Sequence, residues 1–404
     1  MRGFAVMGIL LLNIVSFGLP RYAYSDPTFY GGATGADWWA WALAFVLADG
    51  KMRGLFTMLF GASTILIAER TVASGASPIR RHAARMVSLL GIGMVHAYMI
   101  WSGDILVLYA LCGCVVFFAW RWDTSRLVAV AALLMAAQLA SGTLDYAAAR
   151  QFQERATATH ASTSLRDEWT KYRNSLDQLR AVPTAELEAF RGGWSNVLPM
   201  RFAMTAEAHR HALPATLPET IALMLLGMAL YRSGFFSGGW SRRRYESVLF
   251  VGYGLCLPLY LPLVWWIDRS GFDPITLLLS DPLHLVLLRP GMTLAHAAVI
   301  ILCVKMGYCS PFVARLVAVG RTALSNYLCT SLVCTFVFCG YGLGWFGYLT
   351  RWQLYPVVLT IWVLMLVWSH LWLRRFRYGP FEWLWRSLAQ GKMNQLRPTA
   401  ENRF

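Results

Sequence analysis

Apolar residues in this chain come in blocks of about 17–25, divided by short polar breaks, and that is the length a helix needs to cross the hydrocarbon core of a bilayer. Inside lipid every backbone amide must be paired within its own segment, so blocks of this length are read as helices. Composition agrees. Of 404 residues, 57% are hydrophobic and 14% charged, against roughly 25% charged in a soluble domain. A soluble fold of this length would lack the charged exterior it needs. Eighteen Trp and seventeen Tyr suit interfacial belts, where a ring with one polar tip is at home. The expected fold is an all-α polytopic membrane protein, and a soluble enzyme is excluded.

The blocks give about ten predicted spans, at 4–20, 54–69, 86–101, 103–120, 126–143, 214–232, 246–267, 284–304, 320–340 and 354–373. Net charge is +15, and its placement argues against nucleic acid. Basic residues crowd into the breaks at 70–85, 121–126, 232–245, 305–315 and after 373. All fall on one side if the spans are right, which is the positive-inside pattern of cytoplasmic loops. An even number of spans then puts both termini in the cytoplasm, in a multi-pass protein of a bacterial inner (plasma) membrane. The N-terminal apolar run leads into a further membrane block, so a cleavable signal peptide is not expected.

The chain divides into a first transmembrane bundle (1–143), a polar helical insertion (144–213) and a second bundle with a cytoplasmic tail (214–404). The insertion is too long for a plain connector and is expected to form a small periplasmic cap. Residues 37–48 are apolar but short, which suits an interfacial or re-entrant helix. The eight cysteines all lie in or beside apolar blocks, so neither a disulfide framework nor a cysteine metal site is expected.

The strongest local signal is the run from Gly91 through His96 and Gly103-Asp104 to Tyr109. It places an imidazole near the outer end of one span and a carboxylate at the start of the next. Asp104 can simply cap its helix, or it can orient His96 as a general base. Asn13 lies on nearly the same helix face as Arg2, about 16 Å along the axis, and can act as interhelical glue or orient a carbonyl. Asp49, Lys51 and Arg53 sit on the predicted outer side, where basic residues are unusual. They can dock an anionic acceptor or headgroup, or pair with one another. His296 follows a predicted helix break at Arg289-Pro290-Gly291, and Arg321, Ser325 and Asn326 open the ninth span. No phosphate loop, dinucleotide fingerprint, zinc motif or nucleophile elbow is present in the sequence.

Taken together, Arg2-Gly3-Phe4-Ala5 with Asn13, Lys51-Met52-Arg53 with Leu59-Phe60-Gly61, His96 with Gly103-Asp104-Ile105-Leu106, Gly320-Arg321 through Asn326-Tyr327, Tyr341 through Gly344, and Gly379-Pro380 through Trp385-Arg386 resemble the YeiB-like family of bacterial inner-membrane proteins, a domain-of-unknown-function family. That family is similar in turn to the transmembrane acyltransferases, including heparan-glucosaminide acetyltransferase. The wider resemblance rests mainly on the Arg-Gly start and Asn13. It implies that cytoplasmic acyl-CoA, a co-substrate rather than a covalently bound cofactor, acylates a glycan or small-molecule acceptor on the far side. Two departures stand out: the Leu-Asp pair that usually precedes the Arg-Gly is missing, and Tyr24 occupies the position of a histidine eleven residues after the Asn.

On this implication Arg80, Arg81, Arg242 and Arg243 would hold the donor phosphates. His96 would take the acceptor proton, Asp104 would orient it, and Asn13 or Arg321 would stabilise the oxyanion. Lys51, Arg53, Arg321, Asn326 and His296 are the candidate substrate contacts. A proton-coupled transporter or flippase using the same buried groups is the alternative, and an accessory subunit the third. The bilayer is the one partner expected throughout, and a homodimer is an assembly the sequence allows.

Overall fold

The structure, a computed structural model, describes residues 1–178, 184–307 and 310–397. The regular elements among the described residues are all helical. They run α1 (Arg2–Gly18), α2 (Ala36–Leu47), α3 (Lys51–Ala73), α4 (Pro78–Val95), α5 (Leu106–Phe117), α6 (Thr124–Thr157), α7 (Thr163–Gln178), α8 (Thr184–Arg191) and α9 (Trp194–Glu207). After these come α10 (Leu213–Arg232), α11 (Arg242–Arg269), α12 (Pro274–Pro282), α13 (Arg289–Lys305), α14 (Ser310–Arg321), α15 (Ala323–Phe338), α16 (Tyr355–Arg375) and α17 (Pro380–Gln390).

Seven runs among the described residues are long and apolar enough to cross a membrane: Ala36–Ala73, Pro78–Ile100, Thr124–Thr157, Trp194–Arg232, Arg242–Arg269, Pro274–Lys305 and Trp352–Arg375. Three further expected spans, at 4–20, 103–120 and 320–340, correspond to the shorter apolar helices α1, α5 and α15. The sequence placed four boundaries too tightly. Residues 37–48 are the helix α2, in one apolar run with α3, and α6 continues to Thr157. The runs containing α10 and α13 begin at Trp194 and Pro274. The predicted break at Arg289-Pro290-Gly291 is instead a π-helical stretch, Leu283–Leu288, leading directly into α13. Pro290 sits in the first turn of α13, where its missing N–H costs little.

The surface is inverted relative to a soluble protein. Phe250 is 79% exposed and Leu133 68%, whereas Lys51, His96, Glu219 and Asn326 are buried. Apolar side chains outside and paired polar groups inside are what lipid as solvent requires. The chain is therefore an all-α polytopic membrane protein.

Where helices touch most closely, glycine makes the contact. A Cβ on Gly61 of α3 would lie 2.0 Å from the Met224 carbonyl oxygen of α10, and one on Gly227 of α10 would lie 2.0 Å from the Met58 oxygen of α3. This reciprocal small-residue crossing sets two backbones together in the way that packing without a hydrophobic driving force favours. It also brings Arg53, at the start of α3, alongside Glu219 in α10.

The basic breaks gather at one end of the bundle. Arg232 donates to the Trp120 carbonyl (2.7 Å), Lys305 to that of Trp240 (2.9 Å), the Trp385 indole to that of Arg85 (2.8 Å), and Arg321 to that of Arg377 (3.3 Å). Five stretches far apart in sequence are thus tied into one basic end.

Candidate functional site

Two cavities open into the bundle from opposite ends. One, of about 760 Å³, lies at the basic end and is lined by seven arginines (Arg2, Arg70, Arg81, Arg85, Arg321, Arg377 and Arg386) with Glu382 the one acid. The other, of about 480 Å³, mixes charges: Asp49, Asp104, Glu219 and Asp281 face it together with Arg53, Arg289 and Arg351. Ile9 of α1 and Ile105, just ahead of α5, line both, so the partition between the cavities is thin there. Arg2 lines the basic cavity and Asn13 the mixed one. The helix face they share on α1 therefore runs past both.

His96 sits in this partition. Helix α4 passes into a π-helical turn, His96–Ile100, and the chain leaves it extended at Trp101. The Trp101 ring fills the space where a Cβ on Gly103 would stand, 2.3 Å away, so the turn requires glycine. Asp104 follows, and its Oδ1 accepts the Val107 amide in the first turn of α5 (2.8 Å) while its Oδ2 meets His96 Nδ1 at 2.6 Å. Cap and pair, which the sequence left as alternatives, are both formed by one carboxylate. Both side chains are 1% exposed.

The pairing assigns the tautomer. A carboxylate can only accept, so Nδ1 carries a proton, and whenever the ring is neutral its lone pair is on Nε2. That Nε2 is buried and has no hydrogen-bond partner among the described residues. His96 itself lines neither cavity, but its two neighbours line opposite ones. Asp104 faces the mixed cavity, and Tyr327 of α15, whose ring centroid lies 5.0 Å from the imidazole, faces the basic one.

The mixed cavity is built on a buried ion triad. Glu219, 1% exposed, accepts from Arg289 Nη1 (2.9 Å) and from Arg53 Nη2. Thr220 Oγ1 takes the other Arg53 nitrogen at 3.4 Å. Nearby, Asp49 pairs with neither Lys51 nor Arg53, as the sequence had allowed. It accepts the Tyr24 hydroxyl (2.9 Å) and stands 3.5 Å from His284 Nε2. Tyr24, at the position of the acyltransferase histidine, thus faces the same cavity as Asn13.

The other expected site residues divide clearly. Arg53 and Asn13 line the mixed cavity, and Arg81 and Arg321 the basic one. Lys51 turns away, its ammonium on the Phe45 carbonyl (2.5 Å) and over the Tyr260 ring. His296 ties the end of α2 through the Leu47 carbonyl (2.9 Å). Asn326 is buried among Thr322, Ser369 and Trp368. Arg80, Arg242 and Arg243 are exposed and line neither cavity. The side chains of these six residues point to structural partners or outward and line neither cavity.

Sequence reasoning missed Glu219 and His284, and it named Tyr327 only as the end of a motif, with no role. The signal was present for the first two: a lone acid and a lone histidine within or bordering apolar blocks, where ionisable groups are costly. Among the described residues no cluster of three or more His, Cys, Asp or Glu side chains suits a metal ion.

Comparisons with known proteins give a family and no activity. Residues 230–392 match the family model described as protein of unknown function DUF418. The chain is 31% identical to "Uncharacterized protein YeiB" of Escherichia coli (strain K12), over 396 residues that cover 96% of this chain and 94% of that protein. It is 28% identical to "Uncharacterized protein YxaH" of Bacillus subtilis (strain 168), over 96% of this chain and 92% of that one. No solved structure matches. The near end-to-end likeness at this level of identity means that the chain belongs to the YeiB/YxaH-like DUF418 family of bacterial multi-pass membrane proteins.

Proposed function

We propose that this protein is a transmembrane acyltransferase, in which acyl-CoA enters the basic cavity and an acceptor enters the mixed one. The observation that carries the reading is the buried imidazole in the partition, with an unpartnered Nε2 and neighbours facing opposite cavities. Seven arginines around one acid suit the phosphates of a coenzyme A ester. A mixed lining suits an acceptor of little net charge. The resemblance to the acyltransferases points the same way.

In the proposed reaction the acceptor X–H attacks the thioester carbonyl. The C–X bond forms while His96 Nε2 takes the proton, and Asp104 orients the ring and balances its charge. Collapse then breaks the C–S bond, and the imidazolium returns its proton to the leaving thiolate. Asn13 lines the acceptor side and orients the acceptor. With this goes a topology: α1, α5 and α15 complete ten crossings, the basic end and both termini are cytoplasmic, and α7 and α8 cap the periplasmic face. Thiol labelling of single cysteines placed in the basic loops and in α7 checks that orientation.

The test is binding of acetyl-CoA to purified protein in nanodiscs. Saturable binding that Arg81→Ala and Arg321→Ala weaken, and that His96→Ala retains, is the expected result. No binding of acetyl-CoA or of longer acyl-CoAs would sink the reading. The second reading, a proton-coupled transporter, draws on the two opposed cavities and the buried Arg53–Glu219–Arg289 triad. Proton-driven uptake into liposomes without acyl-CoA binding would favour it.

A further inference from the structure

The sequence offered Asn13 or Arg321 as the group that steadies the oxyanion, and the geometry suits neither. Asn13 lies on the mixed cavity, across the partition from the basic one. Arg321 is exposed at the basic end, with one guanidinium nitrogen on the Arg377 carbonyl (3.3 Å). A thioester carbonyl that meets His96 would have its oxygen near the inner wall of the basic cavity, where two buried phenols stand, Tyr109 and Tyr327. The Tyr109 hydroxyl is taken up by Thr57 and the Arg53 carbonyl, which leaves Tyr327.

Tyr327 is buried in the first turns of α15, and its ring packs against the His96 imidazole. Its hydroxyl accepts the Ile105 amide at 3.2 Å. That bond fixes the oxygen at the residue lining both cavities but uses only a lone pair. No described residue accepts the phenolic proton. The nearest anion, Asp104, has one oxygen on His96 and the other on the Val107 amide. A buried O–H without an acceptor is costly, and here it belongs to a side chain facing an open cavity.

Resting on the acyl-transfer reading, we propose that Tyr327 is the oxyanion donor of the basic cavity, its O–H bonding the thioester oxygen as the acceptor adds to the carbonyl carbon. As the C–X bond forms, the carbonyl π pair moves onto that oxygen and Tyr327 holds the charge. The acceptor proton passes to His96 Nε2, so phenol and imidazole serve different atoms of one intermediate. When the C–S bond breaks the pair returns, the carbonyl reforms, and Tyr327 keeps its proton throughout. The Ile105 amide has the matching role of holding the phenol in place, since a donor aimed at an oxyanion is effective only where it needs no reorganisation.

The test reads the carbonyl directly. Acetyl-CoA labelled with ¹³C at the carbonyl is bound to the wild-type protein and to Tyr327→Phe, and its stretch is followed by isotope-edited infrared difference spectroscopy. Tyr327→Phe keeps the ring on the imidazole and so preserves the fold. The expected result is a band shifted down in the wild type by the donated hydrogen bond and returned toward its aqueous position in Tyr327→Phe, with affinity little changed. Turnover with any acceptor found should fall about 10²-fold, the usual loss for one oxyanion donor. Arg321→Ala should do the opposite, weakening binding while leaving the band of the bound fraction in place. An identical band in wild type and Tyr327→Phe would overturn the assignment while acyl-CoA binding stands. Absence of acetyl-CoA binding in the wild type would overturn the acyl-transfer reading, and this inference with it.

Discussion

The two cavities are walled by the same kinds of helix and differ in how their charges are held. In the basic cavity seven cations face one acid, Glu382, whose oxygens are spent on the start of α15: the Leu324 amide (2.6 Å), the Ser325 amide (3.1 Å) and the Ser325 hydroxyl (2.5 Å). Those arginines have little internal compensation. In the mixed cavity Glu219 holds two guanidiniums, Asp49 a phenol and Asp104 an imidazole. Surplus charge of one sign calls for a ligand of the other, whereas compensated charge preserves the shape of a cavity. The basic end therefore carries uncompensated positive charge, which the proposed reading uses to bind a polyanion, while the charges of the opposite end are held by one another.

The most damaging way to break this contrast is at the helix crossing that supports the mixed cavity. Gly227→Leu would drive a side chain into the Met58 carbonyl, and the protein should fail to fold, seen as loss of monodisperse material on extraction. Glu219→Ala comes next, because it leaves Arg53 and Arg289 buried without their anion. It should cost about 3–5 kcal/mol, read as a lower thermal midpoint. Glu382→Ala, which removes an acid from the basic cavity, should cost only about 1–2 kcal/mol, the value of a helix N-terminal cap. Equal losses in these two variants would erase the distinction between the cavities.

Ligand binding sharpens the comparison from the other side. Arg81→Ala should weaken acetyl-CoA binding about tenfold, the worth of one charge-assisted contact, with the loss shrinking as salt is raised. Arg80→Ala, one residue earlier but outside the cavity, should change it very little. Calorimetry on the two variants side by side checks this, and equal effects would remove the cavity from the account. A small effect on stability is expected of Tyr24→Phe, which deletes one hydrogen bond to Asp49 and should lower stability by about 1 kcal/mol with acetyl-CoA affinity unchanged.

Much of the fold was legible because membrane helices are specified locally. The length of an apolar block and the arginines beside it identified most of the helical runs and the single basic end. The boundaries were less legible. Extensions such as residues 144–157 of α6 and 194–212 ahead of α10 carry polar residues on helices whose continuation depends on packing. His96 and Asp104 were also legible as candidates, because they are separated by one turn and the second must start a helix, but that spacing suited a plain cap as well as a pair and the structure formed both. For Lys51, Asn326 and His296 residue type suggested a site, and the structure places each on a packing partner outside both cavities.

By itself, then, the sequence determined the all-α membrane architecture, the gathering of positive charge at one end and the placing of an imidazole and a carboxylate on either side of one short turn. Each depends on hydropathy, loop charge or a short turn, all of which act within a few residues. Only the tertiary structure decided that Glu219 would bridge Arg53 and Arg289, that Tyr24 would reach Asp49, and that Tyr327 would lie against His96. Those partners come from different segments, 25 residues apart for Tyr24 and Asp49 and much farther for the other two. In a medium where leaving a buried polar group unpaired is costly, which partner it finds depends on how the chain's segments cross.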